Sequence, residues 1–141
     1  MCSMGCQSKG CGCGKTRDDL DHQKTLPVKV KKGWGYELFL HNGDGYCGKI
    51  LHFNSQKACS MHLHAKKHET FYVSYGSLVL KTIDTKTGTS SEIKLSKGDV
   101  FVVKQLLPHQ LFAVEESEIF EMSTEDDVND SYRVWKGDSQ K

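Results

Sequence analysis

Long apolar runs are missing from this sequence. No stretch approaches the roughly 20 residues that a bilayer-spanning helix needs, and the first residues carry no apolar signal-peptide core. Residue 2 is Cys rather than Gly, which excludes N-myristoylation. A cytoplasmic protein without a membrane partner is the expectation. An excess of one charge is missing too. The 19 Lys and Arg residues balance 18 Asp and Glu, for a net charge of +1. No electrostatic field therefore draws the chain to nucleic acid or to an anionic surface. A sustained helical period is also absent, and so are internal repeats.

What is present is enough for one domain. The chain has 141 residues, of which 37% are hydrophobic and 26% charged, as in ordinary globular proteins. Cysteine is unevenly placed. Cys2, Cys6, Cys11 and Cys13 crowd the start, while Cys47 and Cys59 lie further in. The leading spacing C-x3-C-x4-C-x-C matches no zinc ribbon or ferredoxin pattern. Around it the sequence is rich in Gly, Ser and Lys and poor in apolar residues. Residues 1–26 are read as a flexible, reducible arm.

From residue 27 the pattern changes to short alternating runs. Val28–Lys31, Gly33–Leu40, Tyr46–Phe53, Ala58–His64, Glu69–Tyr75, Ser77–Asp84, Ser91–Leu95, Val100–Val103, His109–Val114, Ser117–Met122 and Tyr132–Trp135 read as strands. Turn signals separate them, among them Asn42-Gly43-Asp44-Gly45 and Lys97-Gly98. Val100–Val103 is apolar throughout, which predicts a strand buried on both faces or at a barrel seam. Strands this short, with turns every eight to twelve residues, argue for an all-β sandwich or barrel. Residues 138–141 read as a polar tail.

One stretch organises the rest: His62-Leu63-His64-Ala65-Lys66-Lys67-His68-Glu69. In a strand, alternate residues share a face, so His62 and His64 point one way and Met61 and Leu63 the other. Glu69 opens the next strand, and Gly76 closes it at a turn. His109 follows Pro108 forty residues on. A lone His is usually a surface or satisfied core residue. Two imidazoles, a carboxylate and a third imidazole instead form a mixed N/O set for one divalent transition metal: Zn, Mn, Fe, Co or Ni. His68 neighbours Glu69 and should face away from that ion.

The spacing HxHxxxxE, then six residues and Gly, then Gly98, Pro108 and His109, resembles the two motifs of the cupin superfamily. The resemblance implies a cupin-type double-stranded β-helix, or jelly roll, over residues 27–137. It also implies His62, His64, Glu69 and His109 as metal ligands. Gln56 stands where the first motif usually opens with Gly. A finer resemblance runs through Gly33-Trp34-Gly35-Tyr36-Glu37 and Tyr46-Cys47-Gly48-Lys49-Ile50-Leu51-His52, then Phe71-Tyr72-Val73. These look like the small single-domain cupins related to type II mannose-6-phosphate isomerases, although those more often carry Pro at the position of Gly33.

That likeness implies a metal-dependent isomerase acting on a sugar or sugar phosphate, and it allows a homodimer. The alternatives are a non-catalytic sugar-binding cupin and an Fe(II)-dependent dioxygenase. Glu69, His68 and Glu121 are the candidate bases. Lys49 and Arg133 are candidate anchors for the substrate, and Trp34 and Tyr36 its candidate aromatic platforms. Each has a plainer reading. Lys66 and Lys67 are expected as solvated turn charges. Lys49 beside Ile50-Leu51 is free to snorkel, and Arg133 to cap the last strand. Trp34 and Tyr36 are more often core aromatics, but a Gly on each side of Trp34 suggests a close-packed rim.

Overall fold

A computed structural model describes residues 24–141. The expectations for the arm at residues 1–23, its four cysteines included, lie outside the described residues. The strands are β1 (Val28–Lys32), β2 (Gly35–Gly43), β3 (Tyr46–Phe53), β4 (Met61–Leu63), β5 (Glu69–Tyr75) and β6 (Ser77–Ile83), then β7 (Ser90–Ser96), β8 (Val100–Val103), β9 (His109–Ala113), β10 (Ser117–Ser123) and β11 (Tyr132–Trp135). Single 3-10 turns stand at Val128–Asp130 and Asp138–Gln140. Among the described residues no helix is long and apolar enough to cross a membrane.

Two antiparallel sheets face each other. One has the order β1-β2-β3-β10-β5-β8, and the other β11-β4-β9-β6-β7. From β4 onward the chain alternates between them, with only the β6–β7 hairpin staying in one sheet. This alternation is the jelly roll that the resemblance implied, and it fits the sandwich or barrel read from the strand pattern. It follows from burial. Each strand is apolar on one face, so it needs a sheet opposite to cover that face. Phe53, Phe71, Val73, Leu78, Leu80, Leu111, Ala113 and Ile119 fill the space between the sheets. Trp34 stacks on Phe53 with ring centroids 4.2 Å apart.

Three expectations change. Val100–Val103 is not buried on both faces. Among the described residues it is the edge of its sheet, paired only with β5, and Val100 and Val102 are 59% and 46% exposed. An all-apolar tetrapeptide does not say which of its faces is covered. The strand carrying the histidine pair is shorter than Ala58–His64. Ala58 makes one bridge to Phe112, and His64 lies just past the end of β4. The expected tail is docked. Asp138 Oδ2 accepts from the backbone N–H of Ala58 at 2.7 Å, and Asp138 N–H donates to Ala58 O at 2.9 Å. Gly137 and Gly33 permit this, since a Cβ at either would collide with backbone, of Cys59 and Ser60 or of Asp138 and Ser139.

Candidate metal centre

The alternation of strands brings the histidines together. β4 and β9 are neighbours, and His62 and His109 are their paired residues. His64 continues the same line, and β5 delivers Glu69 from the opposite sheet. One ligand atom from each of His62, His64 and His109 lies within 4.8 Å of the others.

The three imidazoles are oriented in the same way. His62 Nδ1–H donates to Ser60 O at 2.9 Å, His64 Nδ1–H to Asp130 O at 2.8 Å, and His109 Nδ1–H to Leu107 O at 2.9 Å. A backbone carbonyl accepts only, so each proton sits on Nδ1 and each Nε2 keeps its lone pair. Burial holds His62 far below the usual imidazole range, at about 3, with the neighbouring His109 adding to the effect. Burial also lowers His64. Neutral imidazoles with Nδ1 anchored are what a metal requires of histidine.

Glu69 completes the set. Its Oε1 lies 2.9 Å from His109 Nε2 and 3.7 Å from His64 Nε2. This Oε1 atom is buried and has no hydrogen-bond partner. With the His109 proton on Nδ1, two acceptors face each other, and an acceptor pair this close needs a cation between them. Ligand atoms bonded to one ion at about 2.1 Å stand at such separations. The residues therefore fit a divalent metal. Burial pushes the Glu69 carboxyl up, and the Lys67 ammonium pulls it down. Cys59 lines the same cavity, its thiol pushed up to about 12 by burial, and it is not among the ligand atoms that converge with the three imidazoles.

Behind Glu69 stands a buried ionic cluster. Lys67 Nζ lies 3.2 Å from Glu69 Oε2 and 2.7 Å from Asp126 Oδ1, and it also pairs with Glu121. Lys49 Nζ lies 3.3 Å from Glu37, 3.5 Å from Asp126 and 3.8 Å from Glu121. Lys67 and Lys49 are only 3% and 4% exposed. The expectation of a solvated Lys67 fails for a local reason. The Asp130 carboxylate accepts from the backbone N–H groups of Ala65, Lys66 and Lys67, which folds the turn over and sends Lys67 inward. Lys66 stays exposed, as expected. Lys49 does not snorkel, because three acids surround its ammonium inside the barrel. Burial pushes Glu121 up to about 8, and the Glu69 charge adds to the rise.

A cavity of about 440 Å³ opens over these groups. His62, His64, Glu69, His109, Glu121, Lys49, Trp34 and Arg133 line it. Tyr36 and His68 do not. Tyr36 stacks on His52 on the outer face of its sheet, with Lys29 over the ring. His68 is exposed, and its backbone N–H donates to Thr124. Ser139 and Gln140 of the docked C-terminal segment reach the cavity wall. Sequence reasoning missed Asp130, Asp126 and Glu37. Asp126 and Asp130 lay in a polar run, and Glu37 stood at the end of the Gly33–Glu37 stretch with nothing to single it out for the site.

A family profile described as cupin matches residues 48–135. This chain belongs to the cupin family. No curated protein matches it by sequence. Among solved structures, this cupin is similar to oxalate decarboxylase from Bacillus subtilis, with 21% identity and a TM-score of 0.65 over 81% of this chain and 34% of that one. It is also similar to the capsular polysaccharide assembling protein CapF from Staphylococcus aureus, with 15% identity and a TM-score of 0.67 over 78% and 33%. The cupin thus spans about a third of the length of these neighbours, and at such identities the likeness shows the fold. Where its first motif departs from the family, at Gln56, the backbone still takes the left-handed conformation, with φ 63°. The side-chain amide of Gln56 donates to Val114 O at 2.7 Å and holds that turn closed.

Proposed function

We propose that this cupin is a metal-dependent aldose–ketose isomerase for a sugar or sugar phosphate, with mannose 6-phosphate and fructose 6-phosphate the first pair to test. The observation that carries the reading is Glu121. It is a buried carboxyl in the cavity wall beside the metal ligand Glu69, and it is pushed up to about 8. Aldose–ketose interconversion needs a group that takes a proton from one carbon and returns it to the next. Such a group works best when its affinity for the proton matches the working pH.

A divalent metal held by the three Nε2 atoms and Glu69 Oε1 supplies Lewis acidity to a carbonyl or hydroxyl oxygen. The chain's own residues supply the rest. Glu121 holds or releases a proton near neutral pH. Arg133 lines the cavity from β11 and has no carboxylate partner among the described residues, so its guanidinium is free for a phosphate or a distal hydroxyl. Lys49, surrounded by Glu37, Asp126 and Glu121, is a weaker candidate for that anchor. Trp34 and Phe71 keep water from one side. The cavity volume falls within the range of small-ligand sites.

The choice of sugar rests on the resemblance through Trp34-Gly35-Tyr36-Glu37 and Gly48-Lys49-Ile50-Leu51-His52. The test is exchange. Incubation in heavy water with Mn, Co, Ni, Zn or Fe(II) should place deuterium at C2 of the substrate, and a chelator should stop it. Glu121→Gln should slow exchange by about 100-fold or more with metal still bound. If no sugar or sugar phosphate exchanges its C2 proton with any of these metals, the isomerase reading falls.

A further inference from the structure

Lys67 is buried where a neighbouring lysine, Lys66, reaches water freely. Burying an ammonium is unfavourable, and ionic clusters of this kind often stabilise a fold less than apolar residues of the same volume would. Stability therefore gives no account of Lys67. Its contacts do. Two lysines share the same acids, Glu121 and Asp126, and they differ in one respect. Lys49 has Glu37 as its third partner, away from the histidines. Lys67 has Glu69, at Oε2, 3.2 Å away. The other oxygen of the same carboxylate, Oε1, is the one beside His109 and His64.

We infer that Lys67 is a positioning residue that occupies Glu69 Oε2, so that Glu69 offers the metal one oxygen and the place beside it stays open for substrate. The inference rests on the metal-centre reading above. A carboxylate can bind a cation through one oxygen or both. A charge-assisted hydrogen bond to one oxygen fixes the final torsion of the side chain. Partners behind a ligand set its orientation in this way in metal sites generally. Three imidazoles and one carboxylate oxygen leave room for two neighbouring substrate oxygens, and a second carboxylate oxygen would take part of that room. Asp130 belongs to the same device. Its carboxylate turns Lys67 inward while its carbonyl orients His64.

The test compares two double variants loaded with Co(II), whose visible absorption reports coordination number. Lys67→Met with Glu121→Gln and Lys49→Met with Glu121→Gln remove the same charges from the same cluster. Both replace Glu121, which also neighbours Glu69, and only the first removes the ammonium at Glu69 Oε2. The expected result is a changed Co(II) spectrum and about tenfold weaker Co(II) binding for the Lys67 pair, with the spectrum of the Lys49 pair matching the unaltered protein. If the two pairs shift alike, or neither shifts, Lys67 is one charge among several and the inference is overturned. A second measurement uses the unaltered chain. Isotope-edited infrared spectra of the Co(II)-loaded protein, with Glu69 assigned by Glu69→Gln, should show the wide carboxylate splitting of one-oxygen coordination. A narrow, two-oxygen splitting overturns the inference even if a variant fails to fold. Failure of the unaltered protein to bind Co(II) at all would instead defeat the metal reading itself.

Discussion

The two ends of the barrel interior are built from the same strands and have opposite chemistry. Along β5 the inward residues run Glu69, Phe71, Val73. Along β9 they run His109, Leu111, Ala113, and along β3 Lys49, Leu51, Phe53. β10 runs the other way in sequence, from Ile119 to Glu121, and its antiparallel pairing sets Glu121 opposite Lys49. One end is therefore ionic and the other apolar, with no change of secondary structure between them. The apolar end makes the fold stable. The ionic end is tolerated by that stability and carries the chemistry.

The comparison breaks most sharply at the apolar end. Phe53→Ala should lower stability by about 3–5 kcal/mol, because the residue is fully buried and Trp34 loses its stacking partner. Denaturant titration reads this, and metal stoichiometry should stay at that of the unaltered protein while the chain is folded. His64→Ala should do the reverse. It should abolish stoichiometric metal by elemental analysis, yet change the stability of the metal-free protein by only about 1 kcal/mol. A loss on the scale of Phe53→Ala would mean that the two ends are not separable.

Asp130→Asn sharpens the division within the ionic end. An amide cannot accept from all three backbone N–H groups as the carboxylate does. Metal affinity measured by chelator competition should fall by about 10-fold. Acid acts on the same end. His62 ionises at about 3 in the fold but near 6.5 when unfolded. Below 6.5 the unfolded chain binds the extra proton, so the stability contributed by neutral His62 is full above pH 6.5 and is lost as pH falls toward 3. Melting of the metal-free protein should show this loss, and His62→Gln should reduce it. The smallest effect is expected at Gln56→Gly, within about 1 kcal/mol by denaturant titration. Relief of the left-handed backbone is offset there by the lost side-chain bond and a freer unfolded chain.

Much of this division was legible in the sequence. Alternation gave nearly every strand, and Tyr46–Phe53, Glu69–Tyr75 and Tyr132–Trp135 match residue for residue. His62, His64, Glu69 and His109 were visible because a motif fixes their spacing, and the structure brings them together. The ionic cluster was not visible. Lys67 looked like any lysine in a polar turn, since its direction depends on Asp130, which is distant in sequence. The exposure of Val100 and Val102 was hidden for a related reason. Strand composition reports apolarity, whereas edge position depends on which strands pair. Tyr36 could not be told from Trp34 by residue type. Strand parity would put both rings on one face, but Trp34 precedes β2 and stacks inside on Phe53, while Tyr36, past Gly35 with φ 150°, stacks outside on His52.

The place of β10 has a consequence for how the chain reaches this state. It is the tenth strand in sequence but sits between β3 and β5. Before it is in place, those two strands each present an open edge of unpaired N–H and C=O groups. Pairings between strands so far apart in sequence form slowly. A chain halted before Ser117 should therefore give no smaller, stable barrel. It should associate through the exposed edges, and the interval between synthesis of β5 and arrival of β10 is when the protein most depends on being kept apart from its own copies.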